Sequence, residues 1–429
     1  MLTAISQIKQ FVSQEVTLKG WMFNKRGSGK IYFLQIRDGT GTIQAIVDAG
    51  TVSSEVFQLA EKLTLESSLE ITGKVTPHPK NPEEYELQVT DLKIIQLVTE
   101  EYPIAKKEHG PDFLLENRHL WLRSPKQRAI QVIRDTIIRA TYQSLHRQNF
   151  IKIDSPILTP SACEGTTTLF EIDYFGKPAY LSQSGQLYLE AAIFSVGRCF
   201  DFGPVFRAEK SKTRRHLIEF WMMDAEEAFV EHEGNMQIQE QLICDIVTQV
   251  LEENQTELKI LERDIKPLEK IKAPFVHLSH TEAIQHLRKL GSDIKDRDDL
   301  GGDDETLLTK QFEQPIFVEK YPAEIKAFYM KRDKAGEFAL NNDLLAPEGY
   351  GEIVGGSQRE DDYSVLLERI KEHKLPVEAF SWYLDLRKYG SVPHSGFGYG
   401  LERIVTWLCG LDHVRESIPF PRLLNRCYP

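Results

Sequence analysis

The sequence is poor in cysteine and has no pattern that would pair it. Five cysteines among 429 residues (Cys163, Cys199, Cys244, Cys409 and Cys427) are odd in number and never spaced C-x-x-C. That argues against a disulfide framework and against a structural zinc site, and suits a reducing, cytoplasmic setting. No long uninterrupted apolar run is present, so no membrane span is expected. The opening MLTAISQIKQFVSQ lacks the basic, apolar, small-residue order of a secretory signal. Without such a signal, Asn254-Gln255-Thr256 is a chance glycosylation match. There is no basic excess either: the formal net charge is −12, so any nucleic-acid partner has to be met by local basic clusters. Two familiar nucleotide signatures also fail. GSGK at residues 27–30 has Asn24 where a P-loop needs its first glycine and Ile31 where it needs Ser or Thr. GFGYGL at residues 396–401 is not G-x-G-x-x-G and opens no strand–helix–strand nucleotide unit.

What is present divides the chain in two. From Val16 to about Leu97, short β-rich runs (VTLKGWMF, KIYFLQIRDGTG, TIQAIVD, SLEITGKV, YELQVTDLKII) alternate with turns such as Asp38-Gly39. About five strands with one helical stretch, SSEVFQLAEKL, predict an OB-fold barrel over residues 1–98, with another small barrel or sandwich as the alternative. A polar, charged segment, residues 99–123, reads as a hinge or linker. Residues 124–429 mix helices with alternating strands, which predicts an α+β domain on an antiparallel sheet. Ser124-Pro125 opens a helix with Ile130, Ile133, Ile137 and Ile138 at helical spacing. The acidic stretch SDIKDRDDLGGDDE, residues 292–305, reads as a solvated surface loop.

Two segments concentrate chemistry. FGPVFRAEKSKTRRHLIEFWMMDAEEAF, residues 202–229, reads as strand, basic loop, strand. A period of two puts His216, Phe220, Met222, Asp224 and Glu226 on one face, and Arg207 with Glu209 on one face of the first strand. A buried surface of this kind is costly unless a charged ligand meets it, whereas on a solvent-facing sheet it is unremarkable; spacing leaves both readings open. In SGFGYGLERIVTWL, Gly396, Gly398 and Gly400 alternate, so one strand face is bare backbone against which a flat group can lie. Arg403 falls in the first turn of the following helix, where phosphate is favoured.

Together these segments resemble motifs 1, 2 and 3 of the class II aminoacyl-tRNA synthetases: the helix and strand ending at Pro156, FRAE…RRHLIEF, and GFGYGLER. The leading barrel, RHLWLR at residues 118–123 and PSACEGTTTLFEIDYF at residues 160–175 are similar to subclass IIb, which holds the aspartyl, asparaginyl and lysyl enzymes. The resemblance covers essentially the whole chain. It implies a class II catalytic domain preceded by an OB-fold anticodon-binding barrel, ATP and Mg2+ as cofactors, tRNA as partner and a homodimer joined through motif 1. Arg207 would bridge the amino-acid carboxylate and the ATP α-phosphate, Phe220 would stack on adenine and Glu209 would contact its amino group. His216, Arg215 and Arg403 would hold the triphosphate, and the strand with Gly398 and Gly400 would form the other wall for adenine. Asp343 and Glu352, in NDLLAPEGYGEIVGGSQR, would be magnesium carboxylates.

The same resemblance bears on the amino acid. In LSQSGQLYLEA, Gln186 and Leu189 lie three apart on a helix; aspartyl enzymes carry lysine at the second position to pair with the substrate's carboxylate. Its replacement by Leu189 favours a neutral amide. Arg387, in DLRKYG, would touch the amide oxygen, and Asp224 would accept from the amide nitrogen. Gln186 and Glu164 would hold the α-ammonium group. The implied reaction is activation of L-asparagine to its adenylate and transfer to the 3′ end of tRNA(Asn), releasing AMP and diphosphate. Asp224, the residue aspartyl enzymes carry there, keeps an aspartyl or non-discriminating enzyme as the alternative. A relative that uses the adenylate on a small molecule is opposed by the retained barrel. On the tRNA side, Phe33 would stack on an anticodon base, with Gln44, Arg26, Lys25 and Asn24 nearby. Lys210, Lys212, Arg214 and Arg215 are candidates for guiding the acceptor end.

Overall fold

Side-chain alternation explains most of the architecture. The computed structural model describes every residue except Pro82, Ala105, Lys106, residues 161–168 and Lys212, and divides the chain into two compact units, Met1–Gly110 and Pro111–Pro429. In the first unit, strands β1 (Glu15–Ser28), β2 (Ile31–Arg37), β3 (Thr42–Asp48), β4 (Ser68–Pro77) and β5 (Tyr85–Gln96) close a barrel in the order β1-β2-β3-β5-β4. Leu34 and Ile36 of β2, and Ile43, Ala45 and Val47 of β3, point into its core, so Phe33, Gln35 and Gln44 point out. The Asp38 carboxylate fixes the β2–β3 turn by accepting from the backbone N–H groups of Thr40 (2.7 Å) and Gly41 (2.9 Å). The helix Ser54–Lys62, capped by Ser53, links β3 to β4 and buries Val56 and Ala60 in the barrel core.

The second unit is an α+β domain. Its short strands β6 (Ile151–Lys152), β7 (Leu158–Thr159), β8 (Glu171–Tyr174) and β9 (Lys177–Leu181) precede the hairpin of β10 (Arg198–Phe206) and β11 (Glu219–Ala228). Then follow β12 (Val276–Ser279), β13 (Ile316–Glu319), β14 (Asn341–Ala346), β15 (Gly351–Gln358) and β16 (His394–Gly400). They form an eight-stranded sheet, β12-β13-β14-β15-β16-β11-β10-β6, and a three-stranded sheet, β7-β9-β8. All pairings of the large sheet are antiparallel except β12–β13 and β10–β6.

One face of the large sheet is apolar and carries helices. Met223 and Ala225 of β11 and Phe397 and Tyr399 of β16 pack with the helices Pro125–Arg147, His232–Glu253 and Leu401–Cys409 in one core. Ile130, Ile133 and Ile137 lie in that core with Ile138 at its margin, and Ser124 caps the helix start by accepting from Gln127 N–H (3.3 Å). By the period of two, Met222, Asp224 and Glu226 and the three glycines of β16 then belong to the opposite face. The later part of the segment read as linker is helical in the structure, Pro111–Glu116 and Arg118–Trp121. Arg118 anchors it, fully buried and donating to the carbonyls of Pro419 and Ile418 (both 2.7 Å). Among the described residues no helix is long and apolar enough to cross a membrane, and the four described cysteines are free.

Candidate active site

The glycine strand is a floor over which neighbouring side chains lie. In the β11–β16 register Met222 faces Gly400, Asp224 faces Gly398 and Glu226 faces Gly396. A methyl group on Gly396 would collide with the Glu226 carboxylate; one on Gly398 would strike Asp224 and come within 2.7 Å of Met222 Cε. Glycine is required here by close approach of polar side chains, not by backbone conformation.

Two cavities share this floor. The first, of about 250 Å3, is lined by Arg207, Glu209, Arg215, His216, Phe220, Glu352, Gly398, Gly400 and Arg403. Every residue expected to bind ATP is therefore brought to one place. Arg207, just past β10, lies 5.4 Å from the Phe220 ring centre and donates to the Gln183 carbonyl. Arg403, in the first turn of Leu401–Cys409, donates to Glu352 Oε2 (2.8 Å) and to its carbonyl (3.0 Å). Arg215 is held by Glu305 (2.6 Å), Thr306 Oγ1 (2.6 Å) and the Gly349 carbonyl (2.9 Å). His216 touches Thr213 Oγ1 through Nδ1 and lies 4.0 Å from Glu209. Burial, and then the charge of Arg403, hold its pKa below the ordinary imidazole value, so it is neutral at pH 7.

Asp343 and Glu352 converge from β14 and β15 on the bare position of Gly355. A methyl there would lie 3.2 Å from Glu352 Oε1 and 4.0 Å from Asp343 Oδ1. Lys326 sits 3.4 Å from Asp343 Oδ2. Burial raises the Asp343 pKa to about 6; Lys326 opposes the rise and Glu352 adds to it. Two carboxylates converging on one bare position are a hard-oxygen donor pair suited to a divalent cation.

The second cavity, of about 330 Å3, shares Arg207, Met222, Glu352 and Gly398 with the first and extends to Gln186, Asp224 and Arg359. Asp224 is buried, and its Oδ2 accepts from Ser184 Oγ and Gly185 N–H, both at 2.9 Å. Behind it, the pKa of Asp201 is pushed up to about 7 by burial and by Asp224. At the far end Arg359 donates through Nε to both oxygens of fully buried Glu226 (3.1 and 3.3 Å), and again through Nη2.

Two of the predicted residues lie away from this cavity. Leu189 does not face the cavity: it packs with Ile193 and Cys199 in an apolar cluster behind the helix Gln186–Val196. Gln186 instead shares its side with Glu190, to which its amide donates (3.1 Å). Nor does Arg387 reach the cavity. Its side chain is wholly enclosed, donating to Glu190 Oε2 (2.7 Å), Tyr383 Oη (3.1 Å) and the Glu360 carbonyl (2.8 Å). Burial opposes ionisation of Glu190, but Arg387 and His394 prevail and hold its pKa well below the usual carboxylate range. Arg359, in VGGSQR, is an arginine of this cavity that the sequence analysis did not single out. Glu305 was missed too, since an acid within an acidic run reads as solvated, yet here it closes on Arg215. Glu164 lies outside the described residues.

On the barrel, three predicted residues come together. Arg26 lies 5.9 Å from the Phe33 ring centre and donates to Gln44 Oε1 (3.2 Å), and Gln44 donates to Glu86 (2.6 Å). Phe33 is half-buried outside the core, not part of it. Lys25 instead turns to the carbonyls ending the helix Ser54–Lys62, such as Leu63 O (2.6 Å), and Asn24 donates to Gln35 (3.1 Å).

Comparison with known proteins gives the family. Residues 110–424 match the family of tRNA synthetases class II (D, K and N), and residues 16–95 match the OB-fold nucleic acid binding domain. The asparagine–tRNA ligase of Desulforamulus reducens is 55% identical, covering 100% of this chain and 99% of its own. That of Pelotomaculum thermopropionicum is 52% identical, covering 99% of each. The crystal structure of asparaginyl-tRNA synthetase from Pyrococcus horikoshii, complexed with asparaginyl-adenylate, superposes with a TM-score of 0.96 at 44% identity, covering 100% of this chain and 99% of that one. Matched from end to end in sequence and in fold, the chain belongs to the class II tRNA synthetases (D, K and N), in the asparagine–tRNA ligase family.

Proposed function

We propose that the two adjoining cavities take ATP and L-asparagine side by side, and that the Glu226–Arg359 pair reads the side chain of the amino acid. The chain activates asparagine with ATP and esterifies it to tRNA. The observation that carries the amino-acid assignment is that Arg359 is already paired with a buried carboxyl group. A free guanidinium would favour a second carboxylate, as in aspartate. A guanidinium with a carboxylate beside it offers one donor and one acceptor, the complement of a carboxamide. Arg359 donates to the amide oxygen and Glu226 accepts from the amide nitrogen, the roles expected of Arg387 and Asp224. Asp224 and Gln186, with Glu164, hold the α-ammonium group.

Arg207 lines both cavities, so it spans the asparagine carboxylate and the α-phosphate. A carboxylate oxygen attacks the α-phosphorus in line. The phosphorus–oxygen bond to the β-phosphate breaks, and diphosphate leaves with that electron pair toward His216, Arg215 and Arg403. The 3′-terminal ribose hydroxyl of tRNA(Asn) then attacks the acyl carbon, and AMP departs with the hydroxyl proton transferred to its phosphate. No protein nucleophile is needed; orientation and charge stabilisation supply the rate. Phe220 stacks on adenine above the bare glycines, and Glu209 meets its amino group. Asp343 and Glu352 would hold Mg2+, which when bound neutralises the triphosphate and steadies the leaving group. Phe33, Arg26 and Gln44 take an anticodon base by stacking and hydrogen bonding.

Asparagine-dependent ATP–diphosphate exchange, run beside aspartate, tests the reading. Exchange with asparagine alone is expected; comparable exchange with aspartate would sink the role given to Glu226 and Arg359. We also propose a homodimer working in the cytoplasm. Ile151, Ile157 and Leu158, exposed apolar residues just beyond the helix Pro125–Arg147, supply a surface for self-association. Sedimentation at micromolar concentration should return twice the chain mass.

A further inference from the structure

A third cavity adjoins the triphosphate side of the first. It measures about 270 Å3 and includes Arg214, Arg215, Lys310, Gly349, Arg403 and Asp412 in its walls. Arg215 and Arg403 line both cavities and so form the partition between them. Their charges are matched within the protein, by Glu305 and by Glu352. Glu348, another wall residue, is held by Arg263 through two contacts of 2.9 and 2.6 Å.

Two wall cations remain uncommitted. Arg214 makes only a long donation, 3.5 Å, to the Gly349 carbonyl. Lys310 has no side-chain hydrogen bond or ion pair among the described residues; its methylene stem lies along Gly349, with Cε 3.2 Å from where a methyl would stand. With Glu348 taken by Arg263, the carboxylate left in the walls to face them is that of Asp412, so the cavity carries an excess of positive charge. Such a cavity attracts a polyanion.

We infer that this cavity is a diphosphate site, which receives the leaving group beyond the Arg215–Arg403 partition and delivers it as a substrate in the reverse reaction. The inference rests on the adenylate-forming reading above. Once the adenylate occupies the first two cavities, diphosphate carries its negative charge away from the α-phosphorus. Arg214 and Lys310 offer it two unpaired cations on the side where it emerges, so release does not require Arg215 or Arg403 to lose their own carboxylates.

The test uses the full-length protein in the exchange assay with diphosphate varied. Lys310→Ala should raise the KM for diphosphate roughly tenfold, the effect of one hydrogen bond to a charged group. The KM values for ATP and asparagine should stay within about twofold, and Lys310→Arg should restore the diphosphate value. An unchanged diphosphate KM, or a parallel rise in the KM for ATP, would overturn the inference while leaving the adenylate reading intact. If the unaltered protein showed no asparagine-dependent exchange, that reading and this inference would fall together.

Discussion

Replacing Glu226 by glutamine tests the amino-acid assignment at its source. The substitution keeps shape and one acceptor but removes the charge that neutralises Arg359. The pair is buried, with Nε–oxygen distances of 3.1 and 3.3 Å. Unit charges about 4 Å apart interact by ~4 kcal/mol at an effective dielectric of ~20. Roughly half of this lost interaction is regained if an aspartate carboxylate fills the vacated role, a differential of ~2 kcal/mol or about 30-fold. Asparagine, offered a second amide in place of an acceptor, should lose about tenfold in kcat/KM through one unsatisfied contact. The ratio of asparagine to aspartate exchange should thus fall by about 300-fold. Breaking a buried pair also costs ~3–5 kcal/mol of stability, so both substrates should be assayed well below a melting point measured on the same preparation. A folded Glu226→Gln protein with an unaltered ratio would refute the reasoning.

Other parts of the site make separate predictions. Gly398→Ala should abolish exchange even at saturating ATP and asparagine, because its methyl strikes Asp224 and Met222 on the shared floor; retained activity would show that β16 can shift. His216 is neutral in the free protein because its pKa is lowered, and a triphosphate beside it raises that pKa. ATP binding should therefore take up protons on the acid side of neutrality and none at alkaline pH, read by titration calorimetry in buffers of different ionisation enthalpy. His216→Gln should remove that uptake, and an uptake that survives the substitution would place the titrating group elsewhere. Phe33→Ala should raise the KM for tRNA by roughly tenfold or more through lost base stacking, leaving amino-acid exchange untouched; a loss of both would mean the barrel is destabilised instead.

The sequence was most readable where a local period decides which way a side chain points. In β11 and β16 the period of two sorted Met222, Asp224 and Glu226 from Met223 and Ala225, and the glycines from Phe397 and Tyr399. The motifs then brought Arg207, His216, Phe220 and Arg403 to one cavity. Helical spacing was less decisive. At 3.6 residues per turn, Leu189 and Glu190 both lie near Gln186, and only packing against β10 and β11 assigns the first to the core and the second to Arg387. The placement of Arg387 and of Arg359 is likewise tertiary: one is enclosed by Tyr383 and Glu190, the other ends beside Glu226. Glu305 belonged to an acidic run whose composition speaks for solvent, and a long-range partner, Arg215, overrode it.

The shared floor of the first two cavities has a kinetic consequence. On the proposed reading two separate ligands sit there before reaction, and each can leave by breaking its own contacts. Afterwards one molecule carries both sets of contacts, and departure of either half leaves the other tethered a few ångströms away. Joined ligands rebind at high effective concentration. A reactive anhydride is thereby kept on the protein through the wait for its acceptor, and stable analogues of that joined molecule should be retained far longer than either reactant.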